Sequence, residues 1–430
     1  MERFNDATSL ISWIEKQRRF SPKTSLDKMK YLCQLFGNPE NKFVSIHITG
    51  TNGKGSTVAY LRSILKEAGL NVATFTSPYV TIFNERIQYN ENYISNDDLI
   101  KYSNMIIDKY DTIINDGYEL PSFFEFITLL AFIYFSNLDD LDIALIEVGM
   151  GGRLDSTNVI TPLVSVITNI EFDHMAVLGN TLEEIATEKL GIVKDNVPVV
   201  IGTKYESLQK FMVNKIKDKT NQIYLTALRA FEIKKMDIYG SQILLKDLDN
   251  TFDLGLSGLH QIDNAIIAIT VIEVLNKIYL KKKCNLEISY AILSKGLLNV
   301  NWPGRLEILS SKPLILTDGA HNIDGIRRVC EFIKKLNYKE KLAVVAISKD
   351  KELNEMIKLL DETFDEIIFT TYSYIRSSDA SSLNELSHNS NHIFVNELDE
   401  ALNIVKSRNR EFNIFLGSLY LVTDIRKKFK

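Results

Sequence analysis

Cysteine is scarce in this chain of 430 residues. The three present, Cys33, Cys284 and Cys330, stand far apart with no Cys-x-x-Cys or Cys/His spacing, which argues against a disulfide framework and against a zinc site. Proline is scarce too, at 8 residues, and glycine is limited to 20; with 45% hydrophobic and 24% charged residues, collagen-like and broadly disordered classes are excluded. No apolar run reaches membrane length: FITLLAFIYF stops well short of a span, and the opening MERFNDATSLISWIEKQRRF mixes charges of both signs, so neither a transmembrane helix nor an export signal is read. An excess of positive charge is also missing. Fifty basic against 55 acidic residues give a net charge of -5, and nothing in that balance advertises nucleic acid or an acidic membrane surface. A cytoplasmic, monomeric protein that folds throughout is expected.

Short β-branched runs alternate with helix-period segments from residue 43 onward, the pattern of parallel sheets crossed by helices, so the fold class is α/β. In the first half the candidate strands are FVSIHIT, NVATFTS, DIALIEVG, LVSVITNI and VPVVIGT. KGSTVAYLRSILKEAG between the first two reads as a helix closed by Gly69. SFFEFITLLAFIYF and TLEEIATEKL each open on a capping box, Ser122 with Glu125 and Thr181 with Glu184. From Trp302 the rhythm tightens into PLILTDG, KLAVVAIS, EIIFTTY, HIFVNEL and FNIFLGS, a doubly wound Rossmann-like arrangement. Trp-Pro-Gly punctuates the join. The expected domains are 1-298 and 305-430, with a linker at 299-304 and a cleft beside it.

HITGTNGKGST, residues 47-57, follows a strand and opens a helix, where backbone N–H groups and the helix N-terminus cradle phosphates. The strict pattern G-x-x-x-x-G-K-S/T is not met, because Gly55 stands between Lys54 and Ser56. The chemical parts are nevertheless present. Gly50, Gly53 and Gly55 allow close approach, with Thr51 and Asn52 between; Lys54 offers a point charge, and the Ser56 or Thr57 hydroxyl suits magnesium. Glu147 ends an otherwise apolar strand, where open parallel sheets present ligands to a crevice, and Asp173 and His174 follow a second strand. A carboxylate in such a position is costly unless paired or bound to a metal. On TLEEIATEKL, Leu182, Ile185 and Ala186 mark the buried stripe, and Lys189 falls seven residues after Leu182 on that stripe. A salt-bridged or snorkelling ammonium and a neutral amine able to take up carbon dioxide are both compatible with that inward phase.

The segments GTNGKGS, TSPYVTIFNERI, EVGMGGRLDSTN, FDHMAVLG, IATEKLGIVK, LHQIDNA, WPGRLE and DGAHN, in this order, resemble the folylpolyglutamate synthase family, including its dihydrofolate synthase form, across roughly residues 20 to 425. The variant glycine loop is that family's own and is shared with the Mur ligases. The resemblance implies a P-loop, Mur-ligase-like ATPase domain followed by the Rossmann-like glutamate-ligase domain. It also implies an activity in which ATP phosphorylates the terminal carboxylate of a folate, or of dihydropteroate, and L-glutamate displaces the phosphate. Two Mg2+ sites are implied, one at Ser56 and one at Glu147 and His174 with a carbamylated Lys189. Asn264, Arg305 and Asp318 would contact ATP, His321 and Ser418 glutamate, and Ser77, Pro78, Phe123, Phe124 and Asp155 the folate. Tyr79 stands where many bacterial members of the family carry histidine.

Two other functions are weighed against this one. A Mur-type ligase of cell-wall precursors is disfavoured by DGAHN and by the want of an additional N-terminal uridine-nucleotide domain. A nucleotide-gated P-loop binding protein has no use for a second metal cluster at the strand ends.

Overall fold

The computed structural model describes residues 3-18, 25-349, 351-374 and 377-429. They fall into two compact units, Met1–Ala230 with Asp263–Asn299, and Phe231–Ile262 with Val300–Lys430. This division differs from a single boundary at 299-304, because the segment 231-262 groups with the second unit. The reason is packing: Met236 and Ile238 from that segment join the apolar cluster built around Leu316, Ile326 and Phe332.

In the first unit, β1 (Ser45–Thr49), β2 (Val72–Phe75), β3 (Ile87–Tyr89), β4 (Asn92–Tyr93), β5 (Ile143–Glu147), β6 (Val164–Ile167), β7 (Val199–Ile201) and β8 (Ile223–Leu225) form one sheet. The order is β4-β3-β2-β5-β1-β6-β7-β8, parallel from β2 to β8, with β3 and β4 added antiparallel at the edge. The parallel strands β2, β5, β6 and β7 are largely apolar and buried, as strands are when helices cover both faces of a sheet. One face buries Phe126, Leu130 and Phe132 of the helix Phe123–Ser136. Another cluster packs Ile185 and Ala186 of the helix Leu182–Leu190 with Ile167, Val199 and Met212. Both helices begin at capping boxes, and Gly69, at φ +83°, follows the helix Lys54–Glu67 in the left-handed region.

The second unit holds an antiparallel sheet of β9 (Phe231–Asp237), β10 (Gly240–Leu245) and β11 (Asn250–Leu254), and a six-stranded sheet. The latter comprises β12 (Glu307–Ser311), β13 (Leu314–Asp318), β14 (Lys341–Val345), β15 (Glu366–Phe369), β16 (His392–Phe394) and β17 (Phe412–Leu416) in the order β12-β13-β17-β14-β15-β16. All but β12 run parallel, so the last strand returns between the first two parallel ones, and the C-terminal ends of β13 and β17 lie side by side. Among the described residues no helix is long and apolar enough to cross a membrane.

Candidate active site

Strand β1 sits between β5 and β6, and its C-terminal end runs directly into the glycine loop. Side-chain space fixes the glycines. A Cβ on Gly50 would overlap the Thr168 hydroxyl, and one on Gly53, which has φ +85°, would overlap the Asn264 amide oxygen. Asn264 is thus already seated against the loop from the helix Leu259–Leu275. The segment after β6 braces the other side. Thr51 N donates to Asn169 O at 3.0 Å, Asn52 N to Asn169 Oδ1 at 2.7 Å, and Thr168 Oγ1 to Asn52 O at 2.6 Å. The helix Lys54–Glu67 then starts at the loop, so its first-turn N–H groups and the positive end of its dipole lie there. Lys54 Nζ folds back to donate to Gly50 O at 2.9 Å and Thr51 O at 3.2 Å, while Ser56 and Thr57 are buried just beyond.

Glu147 ends β5 and is buried, and Ser77 N donates to its Oε2 at 3.2 Å. His174, with φ +50°, caps the short helix Met175–Leu178; its side chain is 52% exposed and lies 3.9 Å from Asp173. Lys189 is 3% exposed. Burial, reinforced by the positive charge of Lys54, holds its amine down at about 7 against the opposing charges of Asp173 and Asp155. The loop between β5 and β6 is tied to the end of the Lys189 helix: Arg153 N donates to Glu188 O at 2.8 Å and Asn158 Nδ2 to Gly191 O at 3.0 Å.

Among the described residues no three His, Cys, Asp or Glu side chains gather closely enough to hold a metal. Magnesium seldom uses such a cage. It keeps several waters and takes one or two protein oxygens together with phosphates, so a buried hydroxyl at Ser56 and a buried carboxylate at Glu147 fit it by donor type.

Of the folate candidates, the Ser77 loop reaches Glu147 directly. Ser77 and Pro78, joined by a cis peptide, open the loop that is hydrogen-bonded to it. The Phe124 ring fills the space a Cβ would need at Gly149, and the Arg86 guanidinium lies 5.3 Å from the Phe123 ring and 5.1 Å from Tyr79. Tyr79 also donates to Glu15 Oε1 at 2.8 Å. Asp155 is buried and caps the turn Ser156–Val159, accepting from Thr157 N at 3.0 Å and Thr157 Oγ1 at 2.6 Å.

The organiser of this loop is Glu85, which the sequence reading misses. Its carboxylate accepts from Val80 N at 2.7 Å, Thr81 N at 3.0 Å and Ile82 N at 3.2 Å. The signal available in the sequence is a lone glutamate two residues after the apolar pair Ile82-Phe83, which does not by itself announce an anion-binding turn.

In the second unit the segment 304-306 is stitched to the end of β13. Leu306 N donates to Asp318 Oδ2 at 2.8 Å, Ala320 N to Asp318 Oδ1 at 2.8 Å, and Gly319 N to Gly304 O at 2.9 Å. Arg305 lies against Gly319 and lowers the Asp318 carboxyl, although burial is the larger influence and raises it. His321 Nδ1 is 2.8 Å from Gly319 O. Asp318 pairs in register with Leu416 of β17, which brings Ser418 to the neighbouring strand end; there it caps the helix Leu419–Lys427, accepting from Tyr420 N at 3.1 Å. Arg305, Asp318, His321 and Ser418 therefore share one edge of one sheet.

Residues 48-272 match the Mur ligase middle domain, and residues 304-418 the Mur ligase glutamate ligase domain. The chain is 38% identical to dihydrofolate synthase/folylpolyglutamate synthase of Bacillus subtilis, over 97% of its own length and 98% of that protein's. In three dimensions it resembles the crystal structure of folylpolyglutamate synthase from Thermotoga maritima, with 30% identity and a TM-score of 0.83, covering 98% of this chain and 96% of that one. Folylpolyglutamate synthase of Mycobacterium tuberculosis, complexed with ADP and AMPPCP, is similar at 25% identity and a TM-score of 0.86, covering 98% of each chain. A glycine loop at the end of β1, a buried carboxylate at the end of β5 and likeness along nearly the whole chain agree: the chain belongs to the Mur ligase family, in its folylpolyglutamate synthase and dihydrofolate synthase branch.

Proposed function

We propose that this protein uses ATP to join L-glutamate in amide linkage to the terminal carboxylate of a folate, and that it accepts dihydropteroate in the same way. One observation carries the reading. The glycine loop opens beside β5, whose last residue, Glu147, is hydrogen-bonded to the Ser77 loop, so the phosphate side and the folate side share one strand-end edge.

A carboxylate is a poor electrophile until one oxygen becomes a leaving group. The γ-phosphoryl group passes to that oxygen and ADP departs; the glutamate amine then attacks the acyl carbon, inorganic phosphate leaves and the amine gives up a proton. Gly50, Thr51, Asn52, Gly53, Gly55 and Thr57 cradle the phosphates, and Lys54 leaves its two carbonyl partners to face the transferring group. Asn264, Arg305 and Asp318 hold the rest of the nucleotide. Ser77, Pro78, Phe123, Phe124 and Asp155 orient the folate, and His321 and Ser418 the incoming glutamate. Magnesium, when bound, supplies charge that offsets the phosphoryl oxygens; Ser56 would hold one ion, and Glu147 with His174 and a carbamylated Lys189 a second.

The test is ADP release measured with each substrate omitted in turn. Release that needs both glutamate and a folate is expected, and replacing the folate by dihydropteroate should sustain it. Turnover indifferent to both would favour a nucleotide-gated switch instead.

A further inference from the structure

Strand β1 is buried along its whole length, yet Ser45, His47 and Thr49 alternate in it with Ile46 and Ile48. Alternate side chains of a strand share a face, so the three polar groups lie on one side of the central strand, where each is costly unless it finds a partner. Two of them find partners in the same loop. Thr49 Oγ1 donates to Gly151 O at 2.6 Å, and His47 Nε2 lies 2.8 Å from Thr157 Oγ1. That loop, between β5 and β6, carries Asp155.

The proton positions follow from the partners. Asp155 accepts on Oδ1 from both Thr157 N and Thr157 Oγ1, and on Oδ2 from Met150 N at 3.0 Å. An ionised carboxylate only accepts, so the Thr157 hydroxyl spends its single proton on Asp155. Toward His47 that hydroxyl then acts as acceptor, which puts the imidazole proton on Nε2. Nδ1 is buried without a hydrogen-bond partner among the described residues; a proton there would be a second donor with nothing to receive it. Burial, with the charge of Lys194 acting in the same direction, keeps the ring neutral by holding its pKa down at about 3.

We infer that His47 is a positioning residue for folate recognition: as the Nε2–H tautomer it fixes the Thr157 hydroxyl, which in turn fixes the Asp155 carboxylate. The inference rests on the folate role proposed for Asp155. Thr49 holds the same loop four residues earlier, at Gly151, so the polar face of β1 registers the loop against the strand that feeds the glycine loop.

His47→Leu removes the donor while keeping an apolar side chain in a buried position. A folate KM raised about tenfold is expected, with the ATP KM within about twofold of wild type and the circular-dichroism spectrum unchanged. His47→Gln, whose side-chain amide donates, should recover most of the loss. Thr157→Val, nearly isosteric, should raise the folate KM at least as far, and it tests the relay independently if His47→Leu does not fold. Nitrogen NMR of the imidazole should find Nε2 protonated and Nδ1 bare between about pH 5 and 8. A wild-type folate KM in folded His47→Leu, or a proton on Nδ1, overturns the inference while folate-dependent turnover stands. Wild-type protein with no folate-dependent ADP release would instead sink the ligase reading and this role together.

Discussion

Ser77 donates its backbone N–H to Glu147 Oε2 at 3.2 Å, which ties the start of one loop to the carboxylate that ends β5. Glu147→Gln keeps an oxygen for Ser77 and removes only the negative charge. If that charge serves the phosphoryl transfer, ATP binding should be nearly unchanged while amide formation falls by on the order of a hundredfold or more. Nucleotide titration and single-turnover product analysis separate the two steps. Amide formation at the wild-type rate would reject the role.

Glu85 makes a different prediction, because its three backbone donors need an acceptor on both carboxylate oxygens. Glu85→Gln turns one oxygen into an amide that meets N–H with N–H. The loop from Ser77 to Ile82 should loosen at a cost of about 1–3 kcal/mol, with faster proteolysis there and a raised folate KM. An unaltered digestion pattern would mean that the aromatic contacts of Arg86 hold the loop without Glu85.

The elements most legible in the sequence are those specified locally. Apolar runs locate β1, β2, β5, β6 and β7, two capping boxes start their helices where expected, and the helical phase of Lys189 already points it inward. Contacts across long sequence separations leave no such trace. Thr157 is 110 residues from His47, so a histidine in FVSIHIT reads only as a polar interruption of a strand. Likewise, the hairpin sheet β9 to β11 joins the second unit through Met236 and Ile238, a choice of packing partner that alternation alone does not encode.

The buried neutral state of His47 sets a sign for acid stability. Its folded pKa, at about 3, lies below the ordinary histidine value of 6.5. Between those two values the unfolded chain holds a proton that the native state refuses, so stability rises with pH through this window and is complete above it. Acidification from about pH 6.5 should cost up to ~1.4 kcal/mol per pH unit from this one group. Denaturant melts at stepped pH should find that slope reduced in His47→Leu. An equal slope in variant and wild type would assign the acid sensitivity to other groups.

Lys189 poses the question of charge sign. A buried amine held at about 7 is substantially neutral near physiological pH, and a neutral amine can attack carbon dioxide, forming an N–C bond and releasing one proton to leave a carbamate anion. Lys54 stands near enough to depress the ammonium, and the same positive charge would favour an anion in its place. With a carbamate, Lys189→Ala should lose activity that acetate or formate partly restores by supplying a carboxylate, and wild-type activity should fall in carbon-dioxide-free buffer and return with bicarbonate. A lysine acting as a cation would be rescued by small amines instead and would ignore bicarbonate. An electron-density map with a bare amine at Lys189 in active, magnesium-loaded protein would refute the carbamate and leave the ligase assignment intact.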